Sequence, residues 1–135
     1  MTRRVAFVGP LPPPVHGFSN VCAHVLDLLA ARSTVKIFDR TPRGNNVLLK
    51  RVTQLLHPFR YTAWCPKDRD SSLYLALSGG HGQLFDWPYV MIAKILGGRI
   101  FIHHHSFAYL NSPNIINRVF FALVRTDTHT VVSGR

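Results

Sequence analysis

Five short apolar segments alternate along the chain with segments of helical periodicity, and this order constrains the fold more than any other feature. Each apolar segment is short and ends near a turn or a polar residue, which is typical of a buried strand. The segments are Arg4 to Val8, Val35 to Phe38, Leu73 to Leu77, Ile100 to His103 and Thr130 to Val132. Strands that alternate with helices predict a parallel sheet covered by helices on both faces.

Four helices are predicted between these strands from three- and four-residue apolar spacing. They are Phe18 to Leu29, Leu48 to Leu56, Asp86 to Leu96 and a segment that opens at Ser112-Pro113. Ser19 or Asn20 is the expected cap of the first helix, His57-Pro58 the expected end of the second, and Asp86 the expected cap of the third. We therefore predict an α/β fold, a Rossmann-like three-layer sandwich with a mostly parallel sheet of about five strands, in which residues 1–135 form one domain.

The charge of the chain points to an anionic partner. Lys and Arg number 16 against 6 acidic residues, all of them Asp, which gives a formal net charge of +10. Such a balance favours nucleic acid, an anionic membrane surface or a phosphorylated substrate. Because the chain contains no recognition-helix, RNP or zinc-finger pattern, we expect no nucleic-acid partner.

The basic residues are concentrated around the predicted second helix. Nine of the 16 lie between Arg32 and Arg69, and Lys50 and Arg51 accompany the stripe of Leu48, Val52, Leu55 and Leu56. A basic amphipathic helix is typical of proteins that lie on anionic membranes. The same pattern also describes an ordinary helix whose apolar stripe faces the core, and the periodicity leaves both interpretations open.

Three loops leave the carboxyl ends of the predicted strands, where ligands bind in folds of this class. They are Pro10 to Gly17, Ser78 to Gln83 and His103 to Asn111. In the first loop His16-Gly17 precedes a helix, and the N–H groups of Phe18, Ser19 and Asn20 could hold a phosphate. Gly17 would let the ligand approach the backbone, although a tight turn that needs one glycine is an equal interpretation.

The other loops carry weaker signals. Gly79 and Gly80 could present amides to a ligand or simply connect two elements. Asp39 ends the second strand, at the position where dinucleotide-binding proteins hold a ribose hydroxyl, but the glycine fingerprint that accompanies such sites is missing. A solvated strand-end Asp is the simpler interpretation.

Residues 103–105 are three consecutive histidines at the end of the fourth strand. Side chains alternate along a strand, so His103 and His105 share one side and His104 takes the other. A metal site needs three or four ligands, and no acidic residue or cysteine follows nearby. We predict no metal site, a buried and hydrogen-bonded role for one of the three, and a ligand-binding role for a histidine over the crevice.

Three stretches of the chain, in their order and spacing, resemble the N-terminal domain of family-4 glycosyltransferases. They are VAFVGPLPPPVHGFSN, LYLALSGGHGQLFDWPYVMIAKILGGRIFIHHHSFAYLN and THTVVS. The family consists of retaining enzymes of the GT-B fold, with two Rossmann-like domains that face each other across a cleft. The resemblance implies transfer of a sugar from a nucleotide-sugar donor to a glycan or lipid-linked acceptor, in cell-envelope polysaccharide synthesis.

The resemblance also implies roles for individual residues. The loop that in the family approaches the donor phosphates and the acceptor corresponds to His16, Gly17, Phe18 and Ser19, with His16 where the family typically has glycine. A histidine of the family's acceptor pocket matches His105, and Ser106 follows it. Gly79 and Gly80, proposed from the glycine loop after the third strand, join these residues in the expected substrate- and phosphate-binding set. The resemblance implies no cofactor.

The family's C-terminal domain, which makes most contacts to the nucleotide sugar and carries a pair of Glu, has no counterpart in this chain, which contains no Glu. We therefore expect a chain that is inactive alone and that pairs with a donor-binding domain or chain. Two alternatives stay open, a non-catalytic ligand-binding or partner-pairing module and a small nucleotide-binding Rossmann protein. We expect a cytoplasmic location, with peripheral attachment to the inner membrane face as a further option.

Overall fold

A parallel sheet forms the middle layer of the protein, in the strand order β2-β1-β3-β4-β5. The strands are β1 (Arg3–Gly9), β2 (Ser33–Asp39), β3 (Ser71–Leu77), β4 (Arg99–His104) and β5 (Thr128–Val132). Strand β1 pairs over its whole length with β2, from Arg3 opposite Ser33 to Gly9 opposite Asp39. The order of the strands reverses between β1 and β3, so the ligand crevice of such a sheet is expected beside the carboxyl ends of these two strands.

The structure is a computed structural model, and it describes residues 3–13, 15–41, 45–64, 71–77, 80–104, 115, 118–119, 122 and 128–132. Side chains are described for these residues except 80–82 and 128–132. The helices are α1 (Gly17–Ala30), α2 (Val47–Trp64) and α3 (Trp87–Ile95), and a 3-10 helix, Gly80–Phe85, precedes α3. Within the predicted fourth helix, Ile115, Arg118, Val119 and Ala122 have helical backbone.

Two apolar clusters lie on opposite faces of the sheet and define its outer layers. On one face α1 covers Val5, Phe7, Tyr74 and Ala76 with Cys22 and the half-buried side chains around it. On the other face α2 and α3 contribute Tyr61, Tyr89, Val90 and Ala93 to a cluster with Leu73, Leu75, Ile100 and Ile102. Helices on both faces of a parallel sheet confirm the predicted α/β, Rossmann-like sandwich.

The end of α2 differs from the prediction. His57-Pro58 does not terminate the helix, which continues through Pro58 to Trp64, so the expected irregular segment from Arg60 is helical in its first residues. Proline removes one backbone donor and normally ends a helix. Here the residues beyond it are held by packing, since Tyr61 and Trp64 meet the ring of Phe38 at centroid distances of 5.7 and 6.3 Å.

Helix ends show which local signals were interpreted correctly. Gly97 has a positive φ of 75° and Gly98 donates to the carbonyl of Ala93, so α3 stops at the predicted glycines. Asp86 does stand at the start of α3, but its side chain makes no capping hydrogen bond and instead pairs with Arg40. The cap of α2 is Asn46, whose side-chain oxygen accepts from the N–H groups of Leu48 and Leu49 at 3.0 and 3.3 Å.

Candidate functional site

The first predicted loop ends in a capping box that closes the start of α1. The Ser19 N–H donates to His16 Nδ1 at 3.2 Å, and the His16 N–H donates to the Ser19 hydroxyl oxygen at 3.1 Å. Asn20 donates to the carbonyl of His16 at 3.0 Å. The amides of Ser19 and Asn20 are therefore occupied within the helix start, which corrects the expectation that both point at a ligand.

Gly17 leaves room beside this cap. A Cβ built on Gly17 would meet no atom within 4 Å, so the space next to the first turn is open. Ser19 is fully buried, whereas His16 and Gly17 are exposed. The His16 ring and the Gly17 backbone are therefore accessible from solvent, and the Ser19 N–H holds the ring through its Nδ1 atom.

The end of β4 lies next to the start of α1. The His103 ring meets the Phe18 ring edge-on with centroids 6.0 Å apart, and its Nδ1 is hydrogen-bonded to the Tyr74 hydroxyl. Tyr74 in turn stacks on Phe7 at 5.2 Å. His103 thus meets the expectation that one of the three histidines is buried and hydrogen-bonded.

His104 has a different environment on the other side of the strand. It lies opposite Leu77 in the β3 to β4 register and is only 3% exposed. Burial lowers the pKa of His104, and the neighbouring His103 lowers it further, so His104 favours the neutral form at pH 7. Gly80 begins the 3-10 helix, while Gly79, His105 and Ser106 lie outside the described residues.

A pocket of about 390 Å³ opens at the end of β2, on the α2 face of the sheet. Its walls come from three separate segments: the end of β2 and the residues after it, the inner side of α2, and the first turn of α3. The lining residues are Asp39, Arg40, Thr41, Leu49, Lys50, Thr53, Gln54, His57 and Tyr89. The volume lies in the range of small-molecule sites, which is about 300–1,000 Å³.

The pocket brings together basic groups in a partly desolvated setting. The Arg40 side chain is only 9% exposed and forms an ion pair with the fully buried Asp86. Burial lowers the pKa of His57, and the positive charges of Arg60 and Arg40 lower it further against the opposing effect of Asp39. His57 is therefore neutral at pH 7 and can donate or accept a hydrogen bond.

Asp39 and Tyr89 occupy opposite walls of this pocket. The Asp39 Oδ1 atom accepts from the Thr41 N–H at 2.9 Å and from its hydroxyl at 2.5 Å, which folds the strand end into a tight turn. Burial raises the pKa of Tyr89 to about 12, although Arg40 and Arg60 oppose the rise. Among the described residues, the buried Tyr89 hydroxyl has no hydrogen-bond partner.

The sequence interpretation named Asp39 but missed the rest of this pocket. A usable signal was present, because Lys50, Gln54, His57 and Tyr61 recur at spacings of four, three and four residues. That period puts them on one face of α2, opposite Leu48, Leu55 and Phe59. The spacing shows that α2 has a second, polar face. It does not show that this face forms a pocket wall together with Arg40 and Tyr89, which come from distant segments of the chain.

The outer face of α2 is apolar and exposed. Leu48 is 72% exposed, Leu55 57% and Phe59 73%, and Val47, Leu49, Val52 and Leu56 are also exposed. The core side of the helix instead buries Pro58 and Tyr61. The simpler interpretation of the stripe as core-facing is therefore wrong. We call the six side chains that share one side of the helix, Leu48, Leu49, Val52, Leu55, Leu56 and Phe59, the α2 apolar face. Arg51 and Arg60, both exposed, accompany it.

The described part of the chain contains neither a metal-ligand cluster nor a membrane-spanning helix. Among the described residues, no three His, Cys, Asp or Glu side chains are grouped so that they could hold a metal ion. The described helices also include none that is long and apolar enough to cross a bilayer. The α2 apolar face is thus one side of an amphipathic helix rather than a span.

Comparisons with known protein families, with curated proteins and with solved structures each returned no match for this chain. The assignment of a function therefore rests on the residues, their geometry and the resemblance of the three sequence stretches.

Proposed function

We propose that this chain is the N-terminal, acceptor-side part of a retaining GT-B glycosyltransferase. In this proposal the complete enzyme moves a sugar from a nucleotide-sugar donor to a glycan or lipid-linked acceptor in cell-envelope polysaccharide synthesis. The 135-residue chain supplies the acceptor half of the cleft. A donor-binding domain or chain supplies the other half, and the chain alone transfers no sugar at a useful rate.

One observation carries the proposal. Phe18 and His103 belong to two of the three stretches on which the resemblance depends and are 85 residues apart along the chain, yet their rings are in contact at 6.0 Å. Both lie at the carboxyl edge of a parallel sheet, beside the reversal of strand order between β1 and β3. A cleft enzyme built on this sheet needs its first loop and its fourth-strand histidines at one edge, and this contact supports that arrangement.

Each residue then has a defined part in the reaction. The open side of Gly17 accommodates the acceptor or the donor phosphates close to the backbone, and His16, held by Ser19, offers its ring edge to hydroxyl or phosphate oxygens. His105 and Ser106 contact the acceptor hydroxyl near the reacting centre. His103 is a positioning residue, because its bond to Tyr74 fixes the strand end that precedes His105.

The α2 apolar face supports an acceptor held at a membrane. Six exposed apolar side chains on one face of an 18-residue helix, together with Arg51 and Arg60, match an amphipathic helix that lies in the headgroup region of an anionic membrane. Each basic residue near such a surface contributes about 1 kcal/mol. We therefore propose peripheral attachment to the inner membrane face through α2.

The proposal is tested by restoring a donor-binding domain. A fusion of this chain to the C-terminal half of a family-4 glycosyltransferase is assayed for sugar transfer to membrane lipid extracts, with His105→Ala and the exposed-histidine control His24→Ala. We expect His105→Ala to reduce kcat strongly while the circular dichroism spectrum is unchanged, and His24→Ala to have little effect. Equal activity of the two variants would remove His105 from the site.

Two further observations bear on the same proposal. A reading frame downstream of the Arg135 codon that encodes about 200 residues with two spaced Glu supports a split or interrupted transferase. Its absence favours a lone ligand-binding module. Steady sugar transfer by the purified 135-residue chain would contradict the proposal that catalysis requires a separate donor-binding domain.

A further inference from the structure

We infer that the pocket between β2, α2 and α3 binds a phosphate monoester that carries a small hydroxylated group. This site is separate from the crevice of His16 and Gly17, and it is assigned from the lining residues alone. It stands whether or not the chain takes part in glycosyl transfer.

The two cationic side chains that line the pocket indicate that part of the ligand is anionic. Arg40, only 9% exposed, and Lys50, partly buried, both line the pocket. Asp86 engages part of the Arg40 guanidinium, but a guanidinium has five N–H donors and a carboxylate two oxygens. Further donors of Arg40 are therefore available to an oxyanion, and charge-assisted bonds of this type are roughly twice as strong as neutral ones.

The balance of charge agrees with a bound anion. Of the acidic groups close to the pocket, Asp39 is engaged with Thr41 and Asp86 with Arg40. Lys50 adds a positive charge to the wall, and Arg60 is close enough to influence both His57 and Tyr89. Arg40, Lys50 and Arg60 against Asp39 and Asp86 leave one net positive charge. A singly charged phosphate that accepts from Lys50 and Arg40 balances it, and low local polarity strengthens such pairs.

The hydroxylated part of the ligand follows from the neutral polar groups. Gln54 and neutral His57 offer donors and acceptors on the α2 wall, and the Tyr89 hydroxyl on the α3 wall is buried with no partner among the described residues. A buried hydroxyl without a partner is unfavourable by about 1–3 kcal/mol. A volume of about 390 Å³ holds more than a bare phosphate, so a glycerol- or sugar-sized group fits beside it.

The source of this chemistry is either a soluble metabolite or a lipid headgroup. Leu49 belongs to both the pocket wall and the α2 apolar face, and it is 61% exposed. The rim of the pocket therefore reaches the surface that we propose meets the membrane. A phosphomonoester headgroup and a free sugar phosphate would present the same groups to Arg40 and Lys50.

The test compares two neighbouring charges on one helix. Lys50 lines the pocket, whereas Arg51 is exposed and does not, so Lys50→Gln and Arg51→Gln remove the same charge inside and outside the site. Glycerol 3-phosphate and inorganic phosphate are titrated into the full chain, followed by calorimetry and by the NMR signals of the His57 ring. We expect saturable binding that shifts His57 and weakens about tenfold or more in Lys50→Gln only.

A second pair of ligands separates the two sources. Vesicles of phosphatidylcholine with and without phosphatidic acid are added to the same three proteins. A Lys50-dependent shift of His57 by phosphatidic acid assigns the site to a lipid headgroup, and a shift by the soluble phosphates alone assigns it to a metabolite. If no ligand shifts His57, or if Lys50→Gln and Arg51→Gln weaken binding equally, the inferred site is wrong.

The thermal midpoint distinguishes a variant that has lost the site from one that has unfolded. Lys50 is on the first turn of α2 and outside both apolar clusters, so Lys50→Gln is expected to keep the thermal midpoint of the wild type. Gln54→Leu, which keeps a similar volume, provides a second variant on the same wall. Binding to glycerol 3-phosphate that is unchanged in both folded variants overturns the inference.

Discussion

Replacement of three side chains of the α2 apolar face should detach the protein from anionic membranes. The change is Leu48→Ser, Leu55→Ser and Phe59→Ser together, on side chains that are 72, 57 and 73% exposed. Complete burial of a Leu or Phe side chain is favourable by about 1.5–3 kcal/mol. Because over half of each side chain remains to be transferred and a headgroup region is only partly apolar, we expect about 1 kcal/mol from each residue.

The three losses together amount to roughly 3 kcal/mol, or about a hundredfold in the vesicle partition coefficient. The assay is co-sedimentation with vesicles that contain phosphatidylglycerol, at low and high salt. Leu28→Ser is the matched control, since Leu28 is 71% exposed but belongs to α1, on the other face of the sheet. High salt should weaken the part of the affinity due to Arg51 and Arg60 and leave the apolar part intact.

The reasoning is refuted by either of two results. If the triple variant and Leu28→Ser partition alike, α2 is not the docking element. If neither differs from the wild type and the wild type does not sediment with anionic vesicles, the chain does not bind membranes at all. Because all four positions are exposed, each variant should keep the thermal midpoint of the wild type within a few degrees.

Three further predictions concern the interior. Gly9→Ala should destabilise the fold by about 1–3 kcal/mol in urea unfolding, because the added Cβ would lie 2.9 Å from the Ala76 Cβ, whereas Gly17→Ala, with open space around it, should be near neutral. Arg40→Met should lower the free energy of unfolding by about 3–5 kcal/mol, because it leaves the buried Asp86 carboxylate without its cation. The double variant Arg40→Met with Asp86→Leu should regain most of the lost free energy of unfolding. In a Cys65→Ser variant, Cys22 should resist a thiol reagent at pH 8 until denaturant is added, because burial raises the pKa of its thiol to about 12. Rapid labelling of the folded protein would contradict the buried position of Cys22.

The strands and the layer order could be predicted because they depend on local signals. An apolar segment such as Leu73 to Leu77 is too short for a buried helix, and its alternation with helical segments leaves few topologies. The glycines after α3 are an equally local signal, since a positive φ suits glycine. The sheet therefore follows from the printed sequence.

The orientation of α2 could not be predicted in the same way. Periodicity shows that a helix has an apolar face but not which neighbour that face meets, and the leucines of α2 would suit a core equally well. The decision comes from aromatic contacts beyond Pro58, where Tyr61 and Trp64 pack on Phe38 and turn the leucines outward. Because Pro58 predicted the end of the helix, the sequence did not indicate that Tyr61 and Trp64 belong to it.

The two binding regions also differ in how far the sequence could define them. His16 and Gly17 were found because a strand, a loop and a helix start are adjacent in the chain. The phosphate pocket joins Arg40, Lys50 and Tyr89, which only the fold brings to one cavity. The cap of α1 was missed for a third reason, since histidine rarely caps a helix and the expected residues, Ser19 or Asn20, were given that role.

The most direct test of the proposed acceptor-side role is ligand selection by the isolated chain. Binding of a lipid-linked saccharide in anionic nanodiscs and of a free nucleotide sugar is measured for the wild type, His105→Ala and His24→Ala. The account predicts that the wild type binds the lipid-linked saccharide and not the nucleotide sugar, and that only His105→Ala weakens this binding, by about tenfold. Tight binding of the nucleotide sugar, or equal binding of the lipid-linked saccharide by all three proteins, would contradict it.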